Sequence, residues 1–412
     1  MAEGFSKDLQ YYRFCIYGFL KNLRFFEAFL ILFLLDKEQS FLAIGSLYAI
    51  REITVNIFEV PSGMIADAFG RRRTMIMAFA FYIISFILFY LSTAYAGFVL
   101  AMLVFSLGEA FRSGNHKAMI YHYLKHMGWD NQKVHYYGNT RSWSQMGSAL
   151  SALSGATIVF ISGGYQNIFL FSVIPYVLDM VNVASYPRFL EGEVQKTDWN
   201  KLRSRFASLF RDLYASMSSR KVITILGSLS LYSGYYKAIK DYLQAVIAVW
   251  AITIPLFVSF SEEQRTSVLV GVVFFIVYML SSLTSRYSGK FSERFSSLSA
   301  PMNFTLILGL SMGILSGFFY VLEIWLFSVL LFIVVYMIEN LRKPVGVAFL
   351  GENVRPAVTA TVLSVDSQIK SFTAALLAPL FGIFADLFGV GWSIFVVSTL
   401  LLVFSPLLIQ RK

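Results

Sequence analysis

Of the 412 residues in this chain, 57% are hydrophobic, 17% aromatic and only 14% charged. A soluble protein of this size carries about a quarter charged residues, so the composition excludes a soluble enzyme or binding domain and points to a chain that lives in lipid. The net charge of +10 would suit a nucleic-acid surface, but the placement of the charges excludes that reading.

The polar start Met1–Gln10 precedes the first apolar stretch without a cleavable signal pattern. A helix needs about 20 apolar residues to cross a bilayer. Twelve spans are predicted, near 11–35, 40–64, 74–94, 97–123, 138–162, 166–187, 222–250, 265–286, 299–320, 323–350, 357–384 and 389–409. The uncharged run Ser142–Leu178 is long enough for a hairpin of two, with Gly163-Gly164-Tyr165-Gln166-Asn167 as its turn. With the N-terminus in the cytoplasm, 19 of the 34 Lys and Arg fall in cytoplasmic segments and 13 within spans, leaving only Lys37 in an outer loop and Arg265 at the outer end of its span. This positive-inside bias predicts a multi-pass protein of the cytoplasmic (inner) membrane with both termini cytoplasmic. It leaves no basic face for nucleic acid.

The first span carries Gly18-Phe-Leu-Lys21-Asn-Leu-Arg24, and the seventh repeats the spacing as Gly234-Tyr-Tyr-Lys237-Ala-Ile-Lys240, 216 residues later. A cation at the bilayer centre costs at least about 2.5 kcal/mol, so matched pairs of cations predict a duplicated fold with a charged cavity between its halves. The fourth and tenth spans add a second matched set, Glu109-Ala-Phe-Arg112 and Glu339-Asn-Leu-Arg342. The fifth carries Gly147, Ser151 and Gly155 at four-residue spacing, a close-packing face. Between the sixth and seventh spans, Pro187–Lys221 holds eight basic residues and an amphipathic stretch, Trp199–Tyr214, suited to the anionic lipid of the inner leaflet. The predicted organisation is therefore an N-terminal six-helix bundle at 1–187, a cytoplasmic basic linker at 188–221 and a C-terminal six-helix bundle at 222–412. The fold class is all-α.

The loop after the second span reads Gly63-Met-Ile-Ala-Asp67-Ala-Phe-Gly70-Arg71-Arg72-Arg73, and a degenerate counterpart, Ser282-Leu-Thr-Ser-Arg286-Tyr-Ser-Gly289-Lys290, follows the eighth. Gly63 suits close helix approach and Gly70 a turn with positive φ, while Asp67 is placed to face a helix N-terminus or an arginine. This loop resembles the Gly-x-x-x-Asp-basic-x-Gly-basic-basic signature of the major facilitator superfamily, with Ala68 where the superfamily has a basic residue. The resemblance implies twelve spans, a secondary transporter working by alternating access, and a gating role for Gly63, Asp67, Gly70 and Arg71. Arg72 and Arg73 are read as topology signals. A related Gly382-Ile-Phe-Ala-Asp386-Leu-Phe-Gly389 falls on the outer side and is read as a helix end and turn.

In the superfamily the first, fourth, seventh and tenth spans line the central cavity, and those are the four that carry the repeated charges here. Steps of 100° bring Lys21 and Arg24 within about 60° of each other on one helical face, and Lys237 and Lys240 likewise. The substrate-binding set is accordingly Lys21, Arg24, Lys237, Lys240, Glu109, Arg112, Glu339, Arg342, Tyr236 and Gln244, with Tyr235 and Tyr242 nearby. Opposed basic pairs would be bridged by an anionic small molecule, similar in charge placement alone to the organophosphate–phosphate antiporters of the superfamily. The competing reading is internal pairing: Lys21 or Arg24 with Glu27, Arg112 with Glu109, Glu339 with Arg342, Lys240 with Asp241, and Asp366 with Lys370. Asp179 in the sixth span is a further buried acid.

The expected function is transport of a small anionic or polar solute by a monomer, by proton coupling or anion exchange, with membrane lipid as surroundings. The alternative is proton-driven drug efflux with Glu27, Glu109 or Glu339 as the titrating group; the fifth span lacks the Gly-Pro pattern of the superfamily's drug–proton antiporters. No catalytic residues, cofactor or metal are expected. Cys15 is the only cysteine, and the histidines 116, 122, 126 and 135 gather without nearby carboxylates.

Overall fold

The computed structural model describes residues 6–129, 132–191, 204, 211, 220–255, 258–354 and 359–410. Most of the 188–221 linker, including almost all of the expected helix at 199–214, lies outside the described residues. Among those described there are helices and turns and no strand. Ten stretches are long and apolar enough to cross a membrane. They comprise α3 (Phe41–Phe69), α4 (Arg71–Leu91), α5 (Tyr95–Arg112) with α6 (Asn115–His126), α7 (Lys133–Ser162) and α8 (Asn167–Ala184). In the second half they are α11 (Glu262–Ser292), α12 (Ser299–Val321), α13 (Trp325–Asn353), α14 (Thr359–Phe388) and α15 (Val390–Phe404).

The first and seventh expected spans are the ones missing from the ten, and each is a broken helix. In the first, α1 (Leu9–Leu20) ends at Lys21 and α2 (Leu30–Asp36) begins after an irregular stretch. In the seventh, α9 (Arg220–Ile239) passes through a single 3-10 turn, Lys240–Tyr242, into α10 (Leu243–Thr253). Both breaks fall on the repeated basic motif. A break in hydrocarbon frees backbone groups that water cannot reach, so protein must satisfy them. The two breaks use the same device: the Tyr176 hydroxyl donates to the Lys21 carbonyl (2.9 Å), and the Tyr336 hydroxyl donates to the Lys240 carbonyl (2.7 Å). Replacing Tyr336 with Phe is expected to cost about 1–2 kcal/mol, the penalty for a buried acceptor left without its donor. Reversible unfolding in mixed detergent micelles measures it; an unchanged midpoint would contradict the role.

Cα packing divides the chain into two compact units, Met1–Phe29 with Thr54–Leu202, and Leu30–Ile53 with Arg203–Lys412. In the first, α1 lies against α7 and α8, and α4 against α5 and α8. The small-residue face of α7 is what admits α1: a Cβ on Gly147 would lie 2.5 Å from the Phe19 carbonyl oxygen, and one on Gly155 2.6 Å from that of Phe25. Gly18, the glycine of the first basic motif, faces Ser144 in the same seam.

In the second unit α9 packs on α14, α12 on α13 and α15, and α11 on α13. The segment Leu30–Ile53 belongs here. A Cβ on Gly45 would collide with the Ala378 carbonyl, and one on Gly382 with that of Phe41. The Asp386 carboxylate accepts from the Phe41 and Leu42 N–H groups (2.8 and 2.9 Å), capping the start of α3 where orphan donors and the helix dipole favour an anion. The Gly382–Gly389 sequence therefore does more than end a helix. It docks α14 onto α3.

Candidate functional site

The charges of the first unit converge around the break after α1. Arg24, 8% exposed, donates Nε to the Tyr176 hydroxyl (2.7 Å) and Nη1 to Glu109 Oε1 (3.1 Å). Its Nη2 reaches the Tyr82 hydroxyl at 3.4 Å, and its guanidinium lies over the rings of Phe105 and Tyr82 at 5.4 and 5.5 Å. Arg112 was expected to pair with Glu109 along its own helix; instead its Nε donates to the Tyr82 hydroxyl (3.0 Å). Tyr82 thus accepts from both arginines, and Glu109 is taken by Arg24 across helices. Helical spacing allows a same-helix pair, but the break turns Arg24 into better range.

Lys21 caps the end of α1 and is half-buried. Unlike Arg24, its ammonium makes no hydrogen bond or ion pair among the described residues. It lines a pocket of about 200 Å³ together with Arg112, His116, Lys117 and Arg141. Lys21 and Arg112 are half-buried, whereas Lys117 and Arg141 are exposed at the rim. No Asp or Glu is among the lining residues. The wall includes Gly114, whose φ of +73° ends the α5 helix and lets α6 start without a side-chain cap. The free N–H groups of that first turn add a partial positive charge. Asp179 of α8 stands behind this wall, fully buried; its Oδ1 accepts from Asn182 (3.1 Å) and its Oδ2 has no hydrogen-bond partner. Lys21 and Arg112 are the cations that act on it electrostatically. Four cations and a helix start surround one small cavity, and together they give it a positive local potential.

The matching charges of the second unit are used differently. Lys237 bonds to Glu52 (2.7 Å) and the Ser371 hydroxyl (3.0 Å), and Lys240 to Asp241 (2.7 Å). Glu339 and Arg342 do not pair. Glu339 accepts from the Ser233 hydroxyl at 2.9 and 3.1 Å. Arg342, 1% exposed, binds the Met302 carbonyl, Thr305 Oγ1 (2.9 Å) and the carbonyl and hydroxyl of Ser228 (3.0 and 2.7 Å), with its guanidinium 5.5 Å from the Tyr232 ring centre. Four neutral oxygens hold it, which is a structural arrangement. Gln244 Oε1 accepts from the Ile31 N–H (2.9 Å). Tyr236 packs edge-on against Tyr336 at 5.2 Å, Tyr235 bonds to Ser398 (2.9 Å), and Tyr242 stacks on Phe41 at 5.7 Å. The expected Asp366–Lys370 pair is present.

In the loop signature, Gly70 has φ +95°, as a turn requires, but a Cβ on Gly63 would meet nothing within 4 Å, so no close approach occurs there. Asp67 and Arg71 form an i, i+4 pair at 3.9 Å. Arg72 does more than signal topology. It pairs with Glu191 (2.8 Å) and donates to the carbonyls of Ala184 (3.3 Å) and Tyr186 (3.0 Å). Glu191, Tyr82 and Tyr176 went unnoticed in the sequence because nothing local marks them, and Glu52 was seen as a charge of the second span without a partner assigned to it. Lys117 and Arg141 fall inside the expected spans 97–123 and 138–162 and were given no role. Among the described residues no three His, Cys, Asp or Glu come together as metal ligands.

The family model described as Major Facilitator Superfamily matches residues 23–368. An uncharacterized MFS-type transporter of Bacillus subtilis (strain 168), YxaM, is 37% identical over 90 residues, which is 22% of this chain and 23% of that protein. Among solved structures, the nucleoside transporter NupG superposes with a TM-score of 0.75 at 16% identity, covering 98% of each chain. A POT family transporter in complex with a thioalcohol-conjugated peptide reaches 0.66 at 15% identity, covering 97% of this chain and 96% of that one. At such identities these structures share the fold with this chain.

Proposed function

This chain belongs to the major facilitator superfamily, and on that premise we propose that it carries a small anionic solute across the cytoplasmic membrane, with its first contact in the basic pocket of the N-terminal half. The observation that carries this reading is the pocket lined by Lys21, Arg112, Lys117 and Arg141 with no carboxylate among its lining residues. Lys21 and Arg112 bind the anion; the rim cations Lys117 and Arg141 draw it in. Arg24 and Glu109 hold the break that presents Lys21. The broken helices α1–α2 and α9–α10 complete twelve spans as the first and seventh, in two six-helix halves at 1–187 and 222–412 joined by the basic segment 188–221, with both termini cytoplasmic. Transport is by alternating rocking of the two halves, driven by protons or by exchange. Gly63, Asp67, Gly70 and Arg71 act at the cytoplasmic gate, and Glu191 ties that loop to the start of the linker through Arg72.

A thermal-shift screen of the purified monomer tests this reading, because a ligand of the native state raises apparent stability. Inorganic and organic anions at millimolar concentration are expected to raise the midpoint, while nucleosides, uncharged sugars and lipophilic cations leave it in place. Stabilisation by lipophilic cations alone would instead favour drug efflux.

A further inference from the structure

His116 is the histidine of the pocket, and the transport reading leaves it without a task. It is the second residue of α6 and lines the cavity beside the four cations. Its ring stacks on Tyr17 with centroids 3.5 Å apart and planes 14° from parallel, and Phe14 packs edge-on at 5.4 Å. The ring is therefore fixed in place, so a change in its charge cannot be relieved by swinging out to water.

Its two nitrogens have different surroundings. Nε2 lies 3.4 Å from the Tyr186 oxygen, and the Tyr186 hydroxyl proton is committed to the Arg13 carbonyl at 3.3 Å. On that pattern we assign the hydrogen to Nε2, with Tyr186 as its acceptor. In this tautomer the Nδ1 lone pair has no partner among the described residues. The titratable and charged groups facing the imidazole are Tyr17 and Lys21 on α1, Arg112 on α5, Lys117 on α6, Tyr137 and Arg141 on α7, and Tyr186 beyond α8. Two acids act on these cations: Glu109 and Asp179 both act on Lys21 and on Arg112. Another positive charge on the imidazole is opposed by each of these cations. An anion in the pocket cancels that opposition and offers an acceptor.

We propose that His116 is the proton site of this pocket, so that one proton enters Nδ1 with each anion bound. The inference rests on the anion reading of the same cavity. The step is a simple protonation: the Nδ1 lone pair takes a proton from solvent through the open rim, and the resulting Nδ1–H donates to the anion. No other bond forms or breaks. By linkage each ligand favours the other equally, so anion and proton load together. This selects proton-coupled anion movement over exchange of bare anions.

Titration calorimetry of the full-length protein with sulfate, which does not itself titrate near neutrality, tests the proposal. Runs in buffers of different ionisation enthalpy give the proton count directly. The expected count is about one proton taken up per sulfate, with a Kd that rises about tenfold per pH unit over the pH range in which that uptake is measured. His116→Gln is expected to retain sulfate binding with a flat pH profile and no uptake, while Asp179→Asn retains the uptake. Sulfate bound by the wild-type protein without proton uptake would overturn the proposal and leave the anion reading standing, as would uptake that survives His116→Gln. Failure of sulfate to bind at all would overturn the anion reading and this inference with it. A wild-type count of zero overturns the proposal even if a variant fails to fold.

Discussion

Changing Lys21 and Arg112 together to glutamine is expected to weaken anion binding by about 10²–10⁴-fold. Hydrogen bonds to charged groups contribute about 1.5–3 kcal/mol each, and every 1.4 kcal/mol is tenfold in affinity. The fold should survive, because Lys21 has no internal partner to strand, and Arg112 loses only its bond to the Tyr82 hydroxyl, which Arg24 also approaches. Lys237→Gln is the informative control. Sequence spacing makes Lys237 the equivalent of Lys21, but its ammonium is neutralised by Glu52 at 2.7 Å. Its replacement is expected to change anion affinity no more than about threefold, in keeping with the near-additivity of separate sites. Sulfate titration of the four proteins measures both effects. Equal losses from Lys21→Gln and Lys237→Gln would contradict the assignment of the pocket to the first unit.

The second large effect is on stability. Arg24→Met removes the ion-pair partner of Glu109, and breaking a buried ion pair by removing one partner costs about 3–5 kcal/mol. It also removes the Nε donor from Tyr176, whose hydroxyl caps the break at Lys21. The double variant Arg24→Met, Glu109→Met is expected to recover much of that loss, because no uncompensated charge remains. Unfolding in detergent micelles measures the cycle, and simple additivity of the two single changes would show that the pair at 3.1 Å is not coupled. Anion binding should fall in Arg24→Met even where the fold persists, since the break that presents Lys21 relaxes.

Much of this was legible in the sequence, for physical reasons that also mark where legibility stopped. Hydrocarbon tolerates charge so poorly that the cations at 21, 24, 112, 237, 240 and 342 stand out in any apolar run, and the Gly63–Arg73 loop carries the family in a few residues. The helix breaks at those motifs are not readable: neither Leu20–Phe29 nor Ile239–Leu243 contains a proline or glycine. What permits them is Tyr176 and Tyr336, which are 155 and 96 residues away from the carbonyls they satisfy. Partner choice was equally hidden. An i, i+3 spacing puts Glu109 beside Arg112 and Glu339 beside Arg342, yet the acids go to Arg24 and Ser233. Repetition in sequence also overstated repetition in use, since Lys21 faces a cavity and Lys237 a carboxylate. Lys117 and Arg141 belong to no repeated motif, so nothing in the sequence singled them out.

The central claim is that an anion is held by Lys21 and Arg112. Anomalous diffraction from crystals of the protein soaked in selenate, a heavy analogue of sulfate, tests it most directly. The account predicts an anomalous peak within hydrogen-bonding distance of the Lys21 ammonium and the Arg112 guanidinium, in the cavity walled by His116 and Gly114. Selenate peaks confined to helix ends at the surface, with that cavity empty, would contradict it.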